Sequence, residues 1–509
     1  MNDDEKMATP LNDFLSAPVP NWEQVIEQSH SLDPEDWTGI KDLGHKMIED
    51  MVSYLEHIDT EPVWRKPPDE LKDYLRNTWE TEGKDVEQLY EDYKKYILPY
   101  PKGNIHPRFW SWVQGTGSIT AALADFLASV LNSNLAIGDH AAMYVEKQVI
   151  GWCADMFDMD KDETSGILLS GGSMANITGL LVARNAHDPK IRMEGIQGRS
   201  KKLVFYASSE THSCQQKAAE VMGLGSAGLH KIPINELYQM DCTALEARIQ
   251  KDLASGQEPF AIVANVGTVN TGASDDLIEI EKICRKYNLW FHVDGAFGAL
   301  AYLLPEYKKI LEPMSRADSI AFDLHKWMYL PYEVGCLLVK DKTKHRNAFA
   351  SQPSYLLSHE RGLSSGPDPI GNYGMELSRG FKALKVWFCF QEHGRKKYED
   401  LIRQNISQCQ YLADRILKQQ ELELMAPVPM NIVCFRYRKE GLRTEELNQL
   451  NKEILMQVHE LAIATPSSTV LQGNYVIRVA HVNHRTKIKD FDALIDAVLE
   501  IGRRLSNTN

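Results

Sequence analysis

The chain has 509 residues, of which 43% are hydrophobic and 25% are charged, and its formal net charge is −14. These are ordinary values for a globular protein, and the length allows two or three domains. The acidic balance and the lack of a basic run exclude the usual signature of a nucleic-acid-binding protein. No stretch approaches about 18 uninterrupted apolar residues, so we expect no membrane span.

The cysteines indicate a reducing compartment. Eight are scattered along the chain and none forms a Cys-x-x-Cys pair, so neither a zinc site nor a disulfide framework is predicted. Free thiols are typical of the cytosol. The acidic start, Met1-Asn-Asp-Asp-Glu-Lys, lacks the apolar segment of a secretory signal. We therefore expect a cytoplasmic protein without a bound metal.

The N-terminal segment, residues 1–114, is predicted to be helical. Residues 1–35 show little periodicity and are interpreted as a loosely held arm. Apolar residues then recur at helical spacing over 38–58, opposite a charged face. The flanking segment 60–100 offers no obvious core for this helix. It packs either on its own domain or on a partner subunit, and its sequence leaves both open.

The middle of the chain, residues 115–385, is predicted to be an α/β domain with a mostly parallel sheet. Short apolar runs alternate there with helical patterns, which is typical of strands covered on both faces. After residue 385 the predicted helices and strands form a smaller α+β domain, 386–509. A Ser-, Gly- and Pro-rich stretch, 351–378, is predicted to be a long functional loop. The predicted strands of the middle domain are 166–170, 203–207, 259–264, 289–293, 319–322 and 335–339.

Five features of this domain come just after predicted strands. They are the turn 171–174 and the side chains of His212, Thr268, Asp294 and Lys326. In parallel sheets, ligands bind outside the carboxyl ends of the strands. Taken singly, each feature has a common structural explanation, such as a tight turn, a capping carboxylate or an exposed lysine. Their shared position predicts one site.

An aldehyde cofactor with a pyridine ring and a phosphate would use this set of residues. A lysine can hold it as an imine, and a carboxylate beside the ring nitrogen keeps that nitrogen protonated. A flat side chain can cover the ring, and a helix N-terminus can bind the phosphate. Lys326, Asp294, His212 and the 171–174 turn supply each part once.

Several motifs then carry a family resemblance. They are His292-Val-Asp-Gly-Ala-Phe-Gly and Asp323-Leu-His-Lys-Trp-Met, with Gly172-Ser, Glu210-Thr-His and Asn265-Val-Gly-Thr in matching order. Through them the chain resembles the group II amino-acid decarboxylases, which use pyridoxal 5′-phosphate (PLP), over about residues 40–500. The resemblance implies the PLP-dependent aminotransferase-like fold, called fold type I, and a homodimer with shared active sites whose N-terminal helices wrap the partner.

The resemblance also implies roles for the site residues. Lys326 would carry the cofactor as a Schiff base and His212 would stack on its ring. Asp294 would pair with the ring nitrogen, with Ala296 packed beneath the ring. The phosphate would bind at Ser173 and Met174.

Thr268 and His325 would border the Schiff base. A loop tyrosine, matched here by Tyr373 in Ile370-Gly-Asn-Tyr-Gly, would return a proton to the substrate from the other subunit. The presence of both Tyr373 and His212 favours plain decarboxylation over the oxidative formation of an aldehyde.

The substrate stays open between an aromatic and an acidic amino acid. Arg108 stands where the aromatic branch of the family usually has tyrosine, and an arginine could bind an acidic side chain or the α-carboxylate. Phe109, Trp110 and Trp112, in the aromatic stretch 104–113, favour an aromatic substrate. Asp323-Leu also departs from the Asn-Pro of the aromatic branch, so a difference is expected near the phosphate. Rival functions are an aminotransferase, an aldehyde-forming enzyme or a non-enzymatic scaffold of the same fold.

Overall fold

The computed structural model describes residues 31–76, 78, 81–351 and 359–507. The chain divides into two compact units after Glu56. The described part of the first unit contains the helix Trp37–Glu56, which confirms the helix predicted over 38–58. Most of the predicted N-terminal arm lies outside the described residues. Within the described part of the chain, no helix is long and apolar enough to cross a bilayer.

The described residues of the second unit form two β-sheets, built from twelve strands. They are β1 (Phe109–Trp110), β2 (Ser165–Leu169), β3 (Leu203–Ser208), β4 (Leu229–Ile232), β5 (Glu258–Asn265), β6 (Trp290–Asp294), β7 (Ser319–Asp323), β8 (Gly335–Val339), β9 (Leu422–Leu424), β10 (Ile432–Tyr437), β11 (Thr465–Leu471) and β12 (Asn474–Ala480).

The larger sheet has seven strands in the order β2-β8-β7-β6-β5-β3-β4. Strand β8 runs antiparallel to both of its neighbours, and the other pairs are parallel. The connection from β7 to β8 is too short for the crossover of about a dozen residues or more that parallel strands need. Every residue of β3, β6, β7 and β8 is buried. The predicted, mostly parallel sheet is therefore confirmed.

Helices cover this sheet and connect its strands. In the described part of the second unit the helices are Asp69–Tyr74, Val86–Asp92, Ile119–Leu131, Ala141–Met156, Gly172–His187, Ile191–Glu194, Cys214–Val221, Cys242–Ala254, Leu277–Tyr287, Pro305–Leu311, Leu324–Trp327, Lys342–Phe349, Ala383–Leu417, Thr444–Glu460 and Ile488–Asn507. Shorter helical turns of other types are Ile58–Thr60, Tyr93–Ile97, Ser226–Gly228, Gly298–Leu303, Glu312–Arg316 and Ile370–Tyr373.

The smaller sheet has five strands in the order β1-β11-β12-β10-β9. Strand β1 lies in the predicted N-terminal segment but pairs in parallel with β11, so it extends the C-terminal sheet. The helix Ala383–Leu417 crosses the predicted boundary at residue 385, and its backbone breaks at Gly394, where φ is 62°. The domain boundaries 1–114, 115–385 and 386–509 remain predictions.

Trp110 anchors β1 to the core of the smaller sheet. Its side chain is 1% exposed and stacks on Phe491 with 4.8 Å between the ring centroids. The indole Nε1 donates a hydrogen bond of 3.2 Å to Thr486 Oγ1. Burial of a large aromatic ring with its polar atom paired is a strong stabilising arrangement.

Removal of this ring should destabilise the protein. We expect Trp110→Ala to lower the free energy of unfolding by about 3–5 kcal/mol, because the large buried side chain leaves a cavity. Trp112→Ala is the matched control, since that side chain is 55% exposed and should change the value by only about 0.5 kcal/mol. Urea denaturation followed by circular dichroism measures both, and equal losses would contradict the assignment.

Candidate active site

A cavity of about 730 Å³ opens at the carboxyl ends of the parallel strands. The strands β5, β6 and β7 end beside it, and the helix Gly172–His187 begins there. The sheet edge thus collects residues that are far apart in sequence, as expected for this architecture. The cavity wall includes seven of the predicted site residues: Ser173, Met174, His212, Asp294, Ala296, His325 and Lys326.

Lys326 is held in the cavity by apolar neighbours. Leu324 and Trp327 are fully buried, and the indole Nε1 of Trp327 donates a 3.0 Å hydrogen bond to Asn405 Oδ1. The ammonium Nζ of Lys326 lies 2.8 Å from Asp323 Oδ2. Burial lowers the pKa of Lys326, but the Asp323 carboxylate outweighs it and the net pKa is raised.

Asp294 is the last residue of β6, and both of its carboxylate oxygens accept hydrogen bonds. Its Oδ2 accepts a 3.0 Å hydrogen bond from Gln215 Nε2, and its Oδ1 accepts one of 3.2 Å from the backbone N–H of Ala296. The residue is 5% exposed. A buried carboxylate with oriented oxygens is suited to pair with a positive charge in the cavity.

A buried polar chain supports Gln215. Its Nε2 also donates to Asn176 Oδ1 at 2.9 Å, and the same oxygen lies 2.9 Å from His292 Nε2. Burial lowers the pKa of His292 to about 4, so this ring is neutral at pH 7. Its Nε2 carries the proton donated to Asn176, and its Nδ1 accepts from Ser319 Oγ at 2.7 Å.

His212 presents a neutral ring to the cavity. Its Nδ1 accepts a 3.2 Å hydrogen bond from the backbone N–H of Cys214, so the proton of the neutral ring is on Nε2. Burial lowers the pKa of His212, while the Asp294 carboxylate opposes that effect. A flat uncharged ring at this wall can cover an aromatic ligand.

The turn before the helix Gly172–His187 leaves room for an anion. The N–H groups of a helix's first turn have no partners within the helix and favour negative charge. A Cβ atom on Gly172 would lie 2.8 Å from Asp323 Oδ2 and 3.3 Å from Ala296 Cβ. Only glycine therefore allows this close approach, and the predicted phosphate position at Ser173 and Met174 is open to the cavity.

His325 and Tyr332 form the wall next to Lys326. The Nδ1 of His325 accepts a 3.1 Å hydrogen bond from the backbone N–H of Val334, and burial lowers the pKa of His325. Its ring centroid is 4.4 Å from that of Tyr332. Burial also raises the pKa of Tyr332 to about 12, so this phenol is protonated at neutral pH.

Two further predicted residues, Thr268 and Tyr373, do not line this cavity in the single chain. Thr268 is buried, its hydroxyl is 3.1 Å from Thr271 Oγ1, and its neighbours Gly267 and Val269 line the wall. Tyr373 lies at a different cavity, where its hydroxyl donates a 2.8 Å hydrogen bond to Asp368 Oδ2. A catalytic role for Tyr373 needs another subunit and stays a prediction.

The three residues predicted to bind substrate are not brought to the cavity. Phe109 begins β1, the edge strand of the smaller sheet, and Arg108 directly precedes it. The Arg108 carbonyl accepts a 3.0 Å hydrogen bond from the Thr465 N–H. Phe109 borders a separate cavity of about 340 Å³. Trp110 is enclosed in the core beneath it, and its predicted contact with substrate stays a prediction.

Several residues in the cavity wall or directly behind it were not predicted from the sequence. Gln215 and Asn176 orient Asp294, yet an amide inside a helix carries no signal of such a role. Tyr332 and Glu333 follow Lys326 in the chain but lie outside the motifs that carry the family resemblance. Of the three aromatic residues that favoured an aromatic substrate in the sequence, Trp112 is the one that lines the cavity.

Comparison with known proteins identifies the family. Residues 68–438 match the family described as "Pyridoxal-dependent decarboxylase conserved domain". The chain is 30% identical over 471 residues to an aromatic-L-amino-acid decarboxylase of Bacillus atrophaeus, covering 92% of this chain and 96% of the relative. It is 28% identical over 492 residues to tyrosine decarboxylase 4 of Petroselinum crispum, covering 92% and 95%.

A solved structure shows the same fold. The Oryza sativa protein crystallised with PLP and tryptamine matches with a TM-score of 0.86 at 23% identity, over 93% of this chain and 100% of that one. The chain therefore belongs to the pyridoxal-dependent decarboxylase family. It is a PLP-dependent carboxy-lyase of fold type I, which confirms the resemblance drawn from the motifs.

The residues of the cavity fit PLP. Lys326 can bind its aldehyde carbon, buried Asp294 can hold the charge of its ring nitrogen, and His212 can cover its ring. The glycine turn begins the helix Gly172–His187, and its residues Gly171, Gly172, Ser173 and Met174 line the cavity wall. It can receive the phosphate.

Replacement of Lys326 should abolish covalent attachment of the cofactor. PLP-loaded protein treated with borohydride should carry the reduced cofactor on the peptide containing Lys326, and Lys326→Ala should carry none, because the imine nitrogen is absent. Lys340→Ala removes an exposed lysine past β8 and is the control. Mass spectrometry of the digests reads both, and a label that persists on Lys326→Ala would contradict the assignment.

Proposed function

We propose that this chain converts an aromatic L-amino acid into its amine and CO2. The observation that carries the proposal is the character of the cavity wall. Trp112, Phe297 and Tyr332 contribute aromatic surface, and Lys326 is the only lysine or arginine that lines the cavity among the described residues. An acidic side chain would find no other fixed cation there and would face the carboxylate of Glu333. An aromatic side chain would find apolar contacts.

The named relatives support the same substrate class. The Bacillus atrophaeus protein is named for aromatic L-amino acids and the Petroselinum crispum protein for tyrosine. Arg108 offers little support for an acidic substrate, since in this chain it lies outside the cavity wall. Proposed contacts between substrate and Arg108 or Phe109 would require a rearrangement or a second subunit.

PLP supplies a ring that accepts the electron pair of the broken bond between Cα and the carboxylate. We propose that Lys326 holds and releases the cofactor and that Asp294, fixed by Gln215, keeps positive charge at the ring nitrogen. His212 covers the ring without adding charge. Ser173 and Met174 bind the phosphate through their backbone N–H groups.

Thr268 and His325 are proposed to border the reacting centre. Thr268 sits in the loop whose neighbouring residues line the wall. His325 is neutral and its Nδ1 is occupied by the Val334 N–H, so it can donate a hydrogen bond from Nε2. It cannot accept a proton there while that tautomer lasts.

We also propose that the chain acts as a homodimer. The helix Ile119–Leu131 buries Ala121 and Ala124 but exposes a large apolar face, and such a face typically marks a protein interface. Its exposed side chains include Leu123, Phe126, Leu127, Val130 and Leu131. In the separate N-terminal unit, the helix Trp37–Glu56 is proposed to wrap the partner. The eight free cysteines support a cytoplasmic location.

A substrate screen tests the proposed reaction. Purified PLP-loaded protein should release CO2 and the matching amine from phenylalanine, tyrosine, tryptophan or a hydroxylated relative. Glutamate, aspartate and cysteine sulfinate should react at least about 100-fold more slowly, because burying an unpaired carboxylate costs several kcal/mol. Product analysis for amine, aldehyde and ammonia separates the rival enzymes. Preference for an acidic substrate, or aldehyde as the main product, would overturn the proposal.

Mixing two inactive variants tests the role of Tyr373 across the dimer. Tyr373→Phe should retain the cofactor but lose amine formation by about 10²–10⁴-fold, the usual range for a proton-transfer group. Refolded with Lys326→Ala, it should recover about a quarter of wild-type activity, because half of the dimers then hold one intact site.

The alternative proton donor is Tyr332, whose phenol already lines the cavity of its own chain. Tyr332→Phe is therefore the matched comparison for Tyr373→Phe. If activity survives in Tyr373→Phe but is lost in Tyr332→Phe, the proton returns within one chain. An absence of recovery in the mixed dimers would point to the same conclusion.

A further inference from the structure

A second carboxylate, Asp323, lies directly under the helix turn that is open to the phosphate. It ends β7 and is 1% exposed. Its two oxygens are close to the glycines of the turn and of β8: a Cβ on Gly172 would be 2.8 Å from Oδ2, and a Cβ on Gly335 would be 2.7 Å from Oδ1. The sequence places a carboxylate here where the aromatic branch of the family usually has an amide.

The hydrogen bonds of Asp323 are incomplete. Oδ2 pairs with Lys326 Nζ at 2.8 Å and lies 3.8 Å from His325 Nε2. Oδ1 is buried and has no hydrogen-bond partner. Leaving a buried carboxylate oxygen unpaired is costly. The Asp323 carboxylate is therefore short of hydrogen-bond donors even before the cofactor binds.

Cofactor binding makes this shortage larger. When Lys326 condenses with an aldehyde, one water leaves and its nitrogen keeps at most one of its three N–H donors. At the same time a phosphate arrives at the helix turn, beside Asp323. A fully ionised phosphate would then face a buried carboxylate whose ammonium partner has been consumed, and like charges at close range are unfavourable.

The other titratable groups around Asp323 do not relieve this repulsion. His212 and His325 have pKa values lowered by burial, so they are neutral, and burial raises the pKa of Cys214 and Tyr332, so they are uncharged at pH 7. Asp294 is a further negative group of the same cavity. The titratable groups facing Asp323 are His212, Cys214, His325, Lys326, Tyr332 and Cys336.

We propose that Asp323 makes this site bind the cofactor with a singly ionised phosphate, whose remaining P–OH group donates a hydrogen bond to the Asp323 carboxylate. One proton on the phosphate supplies a donor in place of those that Lys326 loses when it condenses, and it removes one negative charge from the pair. A phosphate monoester has its second pKa near about 6, so free PLP is mostly doubly ionised at neutral pH. The protein thus takes up one proton from solvent for the phosphate on binding.

This inference concerns the cofactor and is independent of which amino acid is the substrate. The test is ³¹P nuclear magnetic resonance of the PLP-loaded protein, because the phosphate signal moves downfield as the second proton is lost. In the wild type the bound signal should stay at the upfield, singly ionised position from pH 6.5 to 8.5, while free PLP lies downfield above pH 7. A wild-type signal at the downfield position would overturn the proposal.

Asp323→Asn assigns the effect to this side chain, because asparagine keeps the size and supplies an N–H donor for a doubly ionised phosphate. Its bound signal should shift downfield to the doubly ionised position. Asp341→Asn, at the start of the helix Lys342–Phe349, is the matched control and should keep the wild-type signal. An Asp323→Asn signal that coincides with the wild type would overturn the role of Asp323.

Asp323→Ser is the second variant in case the amide disturbs folding. It removes the carboxylate, and its hydroxyl can donate to phosphate, so it too should give the downfield signal. None of these spectra depends on decarboxylation. Failure of this inference would therefore leave the proposed reaction intact, whereas a failed substrate screen would leave the phosphate assignment intact.

Discussion

The site depends on one constraint: the Lys326 ammonium lies in a cavity where, among the described residues, its ion-pair partner is the buried carboxylate of Asp323. Fully buried Leu324 and Trp327 hold the turn, and Asp323 offsets the desolvation of the lysine. The parallel strands then bring Asp294 to the same edge of the sheet. This pairing keeps the side chain of Lys326 protonated as an ammonium. When the lysine becomes an imine, Asp323 loses hydrogen-bond donors and needs a new one.

Much of the fold followed from residue patterns. Apolar runs alternating with helical periodicity predicted the large sheet, because buried parallel strands need both faces covered. The missed strands lack that signature. Strand β4, Leu229–Ile232, is a short edge strand with an exposed lysine, and β11, Thr465–Leu471, has a proline and two serines directly after its first residue. Strand β1 has two residues and exists only because β11 pairs with it, which local sequence does not encode.

The residues of the candidate site could likewise be predicted only in part from the sequence. Residues whose chemistry is rare at strand ends, such as Lys326 and Asp294, could be predicted together. Residues that act through orientation, such as Gln215, could not, since only the folded chain brings its amide to the Asp294 carboxylate. The aromatic content of this segment does not distinguish Trp110, whose ring is buried in the core, from a ring that lines the cavity. Trp112, two residues further on, is the one that faces the cavity.

A crystal structure of the PLP-loaded protein would test the central claim most directly. The account predicts continuous density from Lys326 Nζ to the cofactor, with the ring nitrogen beside Asp294, the ring against His212 and the phosphate at the turn before the helix Gly172–His187. Density that joins the cofactor to another lysine would contradict the account. A ring turned so that its nitrogen faces Asp323 would contradict it equally.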